Sequence, residues 1–443
     1  MEIKRFYFWI LILFGITMSG ICLAEEGTSP PPAPLGLEDL LAAARQRNPD
    51  IIAAKADWLA AKKRIWIDSS LPDPMAGYDI MGSMTETRVG PEKNRFMISQ
   101  EVPFPAKLWQ RGKMAADESR AGYERYEAVK RDVLSDLKKL YYELYYLDAS
   151  IQVIGEVKDL LKKFEGVAQA RYSNLSGTQR DVAKAQAEVS MSLEKLFMLK
   201  QRRESAAAMI HALLDQDPMA PVGKATAPEK PVSSYSLIEL VNLAVQNRPE
   251  IKEMEALVSK SRRAKTLAKL DLIPDLNVGF EYVRIGEGST NEAPDTDGRD
   301  SWMFPVRFNI PLWPNKNIPA IQEAQKNIEA SQARLLAAKN TTYYEVKDSY
   351  YRFDTASKIA TLYETAVIPQ AKLALSSDQA GYESGKTDFL NLLDSERVYI
   401  NAKLTHVQLF TEALKSYADL VRATGLDLHS DGKSQQEGDE THE

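Results

Sequence analysis

Two stretches of this chain, 200 residues apart, carry the same pattern, and that repetition limits the fold more than any composition does. Leu37–Ile51 reads LEDLLAAARQRNPDI and Leu237–Ile251 reads LIELVNLAVQNRPEI. They share Leu37/Leu237, Leu40/Leu240, Ala44/Ala244, Gln46/Gln246, Pro49/Pro249 and Ile51/Ile251 without a gap. The echo continues in order. Leu71-Pro72-Asp73 answers Ile273-Pro274-Asp275, Val102-Pro103-Phe104 answers Ile310-Pro311-Leu312, Tyr141-Tyr142 answers Tyr350-Tyr351, and Tyr172 answers Tyr382. A duplicated unit of this length is half a protein, so the architecture is expected to be built from two similar pieces acting together.

Residues 1–24 read as a secretory signal: Lys4 and Arg5, an apolar run from Phe6 to Leu23, and a small residue before the cut after Ala24. A lipid anchor on Cys22 is the rival reading, but a lipobox wants a small residue where Ile21 stands. Cleavage removes two cations and one anion, taking the net charge from −6 to −7. An acidic chain without basic clusters argues against nucleic acid as a partner. Cleavage also removes the one cysteine, and with it any disulfide, thiolate metal site or cysteine nucleophile.

Residues 25–36 form a Pro-rich extended lead-in, residues 37–215 the first repeat, 216–236 a Pro-rich linker, 237–425 the second repeat, and 426–443 a polar, disordered tail. Each repeat reads as a helix, bent at Pro49 in the first, then a strand pair and very long helices. The strands are Met75–Met84 with Arg95–Val102, and Leu276–Ile285 with Trp302–Ile310. Ala106 to about Ala170 contains no proline, and some 60 helical residues span roughly 90 Å. Val133, Leu137, Leu140, Leu144, Leu147, Ile151 and Ile154 recur at spacings of three and four, the mark of a coiled coil or bundle. Pro369 is expected to kink or end the matching helix of the second repeat.

Strands of about ten residues match the length that crosses a hydrocarbon layer at a tilt. A membrane sheet must close on itself, and four strands cannot close a barrel. Spanning a membrane therefore demands several copies, eight strands as a dimer or twelve as a trimer. The soluble alternative is a small sheet capping a helical bundle. Aromatics at the strand ends, Phe104, Trp109, Trp302 and Trp313, favour the membrane.

The signal, the repeat, the Asn48-Pro49 and Arg248-Pro249 steps, the strand pairs and the segment GYESGKTDFLNLLDSER at Gly381–Arg397 resemble the TolC-like outer-membrane factors, over Leu37 to Gly425. Leu71-Pro72-Asp73-Pro74 with Gln100–Lys107 resembles the family's cobalt–zinc–cadmium branch, with Ala106 where a glycine is usual. The resemblance implies a mostly α fold with a small β part: a homotrimer whose four strands per chain complete one transmembrane β-barrel above a long coiled-coil helical barrel. It implies the outer membrane, with a long periplasmic extension among outer-membrane lipid. It implies an exit duct working with a periplasmic adaptor and an inner-membrane RND-type pump, exporting heavy-metal cations, with drug or type I protein export as the alternative. A pore-less periplasmic coiled-coil protein is the alternative of another class. The resemblance places adaptor-docking helix tips at Gly177-Thr178 and Ser384-Gly385-Lys386, whose glycines are expected at positive φ. It places a periplasmic gate at Tyr382, Asn391 and Asp394, six and nine residues after Gly385 for the last two. Counting from Gly177, the first tip offers Ala183 and Gln186 there, with Asp181 nearby, and the family's gate arginine is Thr387.

Catalytic chemistry is not legible. His211, His406, His429 and His442 stand at no ligand spacing, and Asp427, His429 and Asp431 read as tail rather than metal clasp. Met75, Met81, Met84, Met97 and Met303 read as packing or lipid-facing methionines. There is no Walker, G-x-S-x-G or HExxH motif. No cofactor, resident metal or enzyme activity is expected.

Overall fold

Of the positions the two halves share, three near the start of each repeat are buried in both copies. The structure is a computed structural model and describes residues 35–82, 85–87, 90–231, 235–286 and 299–426. The leader with Cys22, most of the lead-in, Met84, most of the second strand-pair loop and the tail with His429 and His442 lie outside the described residues. Helix α1 (Leu37–Arg47) gives way to α2 (Pro49–Ser69), and α5 (Leu237–Asn247) to α6 (Pro249–Leu270). Leu40, Ala44 and Ile51 are buried, and so are Leu240, Ala244 and Ile251. The bend expected at Pro49 is a full break, and the chain breaks in the same way before Pro249. A residue before proline disfavours helix, and Asn48 and Arg248 are both extended. Asn48 then caps α2, its side chain accepting from the Ile51 N–H at 3.0 Å.

The sheet is antiparallel throughout. β1 (Met75–Ile80) pairs with β3 (Gly90–Val102), β3 pairs with β4 (Leu276–Ile285), and β4 pairs with β5 (Ser301–Met303) and β6 (Val306–Phe308). The two-residue β2 (Glu86–Thr87) joins the outer end of β3. The expected Trp302–Ile310 strand is two short ones because Pro305 has no N–H to give; its carbonyl instead accepts from Gly279 at 2.9 Å. The register aligns Tyr78, Phe96, Tyr282 and Trp302 in one row, Ile98 beside Phe280, and Val278 and Leu276 beside Val306 and Phe308. Partners in register share a face, and most of these side chains are exposed. The opposite face carries Arg95, Asn277 and Glu281, the last paired with Arg307 at 2.7 Å. An apolar outer face opposite a polar one is the arrangement a lipid-facing barrel wall needs. β1 and the β5–β6 pair leave two open edges.

Below the sheet run the long helices. α3 (Pro105–Ser173) is 69 residues of continuous helix, roughly 100 Å long. Its counterpart is interrupted: α7 (Pro314–Leu362), a π-helical turn at Tyr363–Val367, and α8 (Ile368–Glu383), of 49, 5 and 16 residues, one more in total than α3. A π turn is how a helix absorbs a single inserted residue. The repeat register agrees. Tyr141 and Tyr350 are 209 apart, Tyr172 and Tyr382 210 apart. Pro369 follows the π turn in the first turn of α8, where its missing N–H costs least.

Next to the sheet α2, α3, α6 and α7 lie side by side, and farther away α4 (Gln179–Leu213), α3, α9 (Phe389–Thr424) and α8 do the same. The middle is a belt. There α1 packs Leu40, Leu41 and Ala44 on Leu137, Tyr141, Leu144 and Leu414. α5 packs Leu240 and Ala244 on Val346, Leu420 and Ala423. The linker is pinned to this belt: the Tyr141 hydroxyl bonds the Leu35 and Thr226 carbonyls and the Thr226 hydroxyl, and Leu35 bridges to Ala225. Among the described residues no helix is long and apolar enough to cross a membrane.

Candidate functional site

The end of the molecule far from the sheet is made by two helix reversals. α3 turns into α4 through Asn174–Thr178, and α8 turns into α9 through Ser384–Asp388. Thr178 and Asp388 are the N-caps. Thr178 forms a capping box with Asp181, and the Asp388 carboxylate accepts from the Asn391 N–H at 2.9 Å. Ser384 is the C-cap of α8, and the Lys386 N–H donates to the Gly381 carbonyl at 2.8 Å.

Gly385 takes the left-handed conformation at φ 76°, as expected. Gly177 does not. The left-handed residue of the first tip is Leu175, at φ 57° and 95% exposed, 210 positions before Gly385. Gly177 serves a different need: a β-carbon there would meet Arg171 and Tyr172 backbone at 3.2 Å. This moves the register of the first tip by two. Counted from Leu175, positions six and nine are Asp181 and Lys184, not Ala183 and Gln186. In the second tip they are Asn391 and Asp394, both exposed and one turn apart on a single face of α9.

Tyr382 is buried, its ring 5.3 Å from that of Phe389, inside a core shared by Leu161, Phe164, Val189, Leu375 and Leu393. The sequence marked Thr387 as the position without its arginine. An arginine comes instead from the other repeat. The Arg171 guanidinium lies over the Tyr382 ring at 4.7 Å, donates to the Tyr382 carbonyl, and donates to the Ser176 carbonyl at 3.1 Å. The available signal was the mismatch at this repeat position, Arg171 against Gly381. Thr387 packs over Gly381 and donates to the Asp378 carbonyl at 3.2 Å. Ion pairing of Arg397 with Glu188 joins α9 to α4. Among the described residues no cluster of His, Cys, Asp and Glu is arranged to hold a metal ion.

Comparison with known proteins agrees with this architecture. The family model for outer membrane efflux protein matches residues 240–426. The cobalt-zinc-cadmium resistance protein CzcC of Cupriavidus metallidurans is 19% identical over 419 residues, covering 91% of this chain and 95% of that protein. The outer membrane protein TolC of Vibrio cholerae is 21% identical, covering 82% and 84%. Among solved structures, CusC superposes with a TM-score of 0.74 at 15% identity, over 88% of this chain and 92% of that one. VceC from Vibrio cholerae gives 0.73 at 17% identity, over 88% and 96%. These relatives bear the names of resistance and outer-membrane proteins rather than of enzymes. With the signal, the repeated strand pairs and the long helices beneath them, these matches liken the chain to outer-membrane efflux channels: its second repeat matches the outer membrane efflux protein family, and its fold is that of the solved channels CusC and VceC.

Proposed function

We propose that three copies of this chain close one twelve-strand barrel over one helical tunnel, and that the tunnel is the exit duct for heavy-metal cations expelled by an RND-type pump through a periplasmic adaptor. The observation that carries the trimer is the pair of open sheet edges. A sheet four strands wide whose exposed face is apolar cannot satisfy its edge N–H and C=O groups in lipid without neighbours. The helical layers end in the same way. α2 and α7 flank one layer and leave Trp66, Ile67, Leu336 and Tyr344 exposed; α4 and α8 flank the other and leave Phe197 and Leu373 exposed. A head-to-tail contact repeated three times covers all of these edges and closes.

The metal cargo rests on the likeness to CzcC along nearly the full length of both chains. Deleting the gene in its host and measuring growth inhibition by cobalt, zinc and cadmium beside a drug panel tests it. Metal sensitivity restored by the intact gene supports the reading; drug sensitivity with unchanged metal tolerance overturns it.

The tips at Gly177-Thr178 and Ser384-Gly385-Lys386 are the proposed adaptor contacts, and the face with Asn391 and Asp394 the proposed aperture. Threefold symmetry turns one exposed Asp394 into a ring of three carboxylates, which would attract and retain multivalent cations. Asp394→Ala should weaken block of the reconstituted pore by divalent and trivalent cations; unchanged block removes Asp394 from the aperture.

A further inference from the structure

Where the sheet meets the helices, the two repeats of one chain are held together by a buried lysine. Lys107, third residue of α3 and 2% exposed, donates to the Asp275 carboxylate at 2.8 Å and to the Ile273 carbonyl at 2.8 Å. The other oxygen of Asp275 accepts from the Phe104 N–H at 2.8 Å. Asp275 immediately precedes β4, so this clasp locks the start of a strand in the second repeat to the start of a helix in the first. A lysine buried this deeply needs such a carboxylate.

The repeat supplies a second set of the same parts, and the chain does not join them. Asp73 stands two residues before β1, with Pro74 between, in Leu71-Pro72-Asp73, as Asp275 stands directly before β4 in Ile273-Pro274-Asp275. Lys316 is the third residue of α7 after Pro314, as Lys107 is the third of α3 after Pro105, 209 positions earlier. Asp73 and Lys316 are both exposed, and among the described residues neither side chain has a hydrogen bond or ion pair. They lead into and out of opposite edges of the sheet, β1 and β6. Three strand spacings separate those edges, roughly 14 Å, which puts the pair beyond direct contact within one chain.

We propose that Lys316 pairs with Asp73 of a second copy of this chain. The proposal rests on the trimer reading and deepens it. β1 of one copy stands to the β5–β6 edge of the next as β4 stands to β3, so the lysine–aspartate clasp recurs six times around the barrel–helix junction: three times within chains and three times between them. Asp271 is the rival partner for Lys316. It borders the same groove, with Trp313 and Asn317, and lies 3.8 Å from Lys107.

Two measurements test the clasp. Cα atoms of an aspartate–lysine pair are too far apart for a disulfide, so the chain carrying Asp73→Cys with Lys316→Cys is treated with a short bis-maleimide and run on a denaturing gel, beside each single variant. The native mass of the untreated protein is measured in parallel. Covalent dimers and trimers from the double variant alone are expected. Native trimers without a covalent ladder overturn the clasp and leave the trimer reading standing; a native mass of one chain removes both. Charge reversal gives the second readout. Lys316→Asp should make the trimer dissociate at a lower temperature in detergent, and adding Asp73→Lys should restore it. Rescue by Asp271→Lys in place of Asp73→Lys assigns Lys316 to Asp271 and overturns the proposal.

Discussion

Arg171 lies on the ring of Tyr382, 4.7 Å from guanidinium carbon to ring centroid, and donates to the carbonyl of that same residue. The contact ties the α3–α4 reversal to the α8–α9 reversal of one chain, so the two tips move as a unit. Arg171→Ala removes a stacked cation and a charge-assisted hydrogen bond, a loss of about 1–3 kcal/mol confined to the tips. Hydrogen exchange should quicken at residues 174–178 and 384–388 and stay unchanged in the belt around Leu137. Unchanged exchange at the tips would show that the stacking carries no weight.

The tips differ in how they accept a left-handed residue. Leu175 bears the strain of φ 57°, whereas Gly385 at φ 76° bears none. Gly385→Ala is expected to destabilise the second tip by about 1 kcal/mol, while Leu175→Gly leaves the first tip no less stable. Limited proteolysis of the two variants at the tips reads the difference. Equal sensitivity in both would contradict it.

Acidity should tighten the tip bundle. Glu396 on α9 is 1% exposed, and its Oε1 has no hydrogen-bond partner. Burial, and after it the Glu188 carboxylate, push its carboxyl from the ordinary 4.5 up to about 7, against the pull of Arg397 and Lys195. A raised carboxyl pKa favours the protonated fold. That stability is complete below the unfolded value and is lost as pH rises through about 7, to the extent of about 3 kcal/mol. Glu396→Gln should flatten the profile between about pH 5 and about pH 8 and gain most at the alkaline end. Thermal unfolding followed by circular dichroism at the two pH values measures it; an equally sloped variant assigns the dependence elsewhere.

The belt depends on one phenol. Tyr141 Oη bonds Leu35 and both oxygens of Thr226. Tyr141→Phe keeps the ring in its core and should cost about 1–2 kcal/mol. Protease cleavage within residues 216–231 should accelerate, with α3 intact; an unchanged rate means the linker is held by other contacts.

How much of this was legible in the sequence varies with what sets each feature. Hydrophobic positions repeated along one helix face mark burial directly, so Leu40, Ala44 and Ile51 with their mates gave the halves and their cores. Alternation gave β4 from Leu276 to Ile285 to the residue. Register within the tips was not legible, because glycine at position 177 suggests positive φ while the backbone takes it at Leu175. The π turn was hidden because a single inserted residue leaves no compositional trace; only the change from 209 to 210 in the tyrosine spacing betrays it. Arg171 was missed because its partner lies 211 positions away, in the other repeat.

The central claim is that one chain supplies a third of a closed barrel. Native mass spectrometry of the detergent-extracted mature protein measures it directly. A complex of three chains that resists dissociation until heated is the result this account requires. A single chain, stable and soluble without detergent, would contradict it.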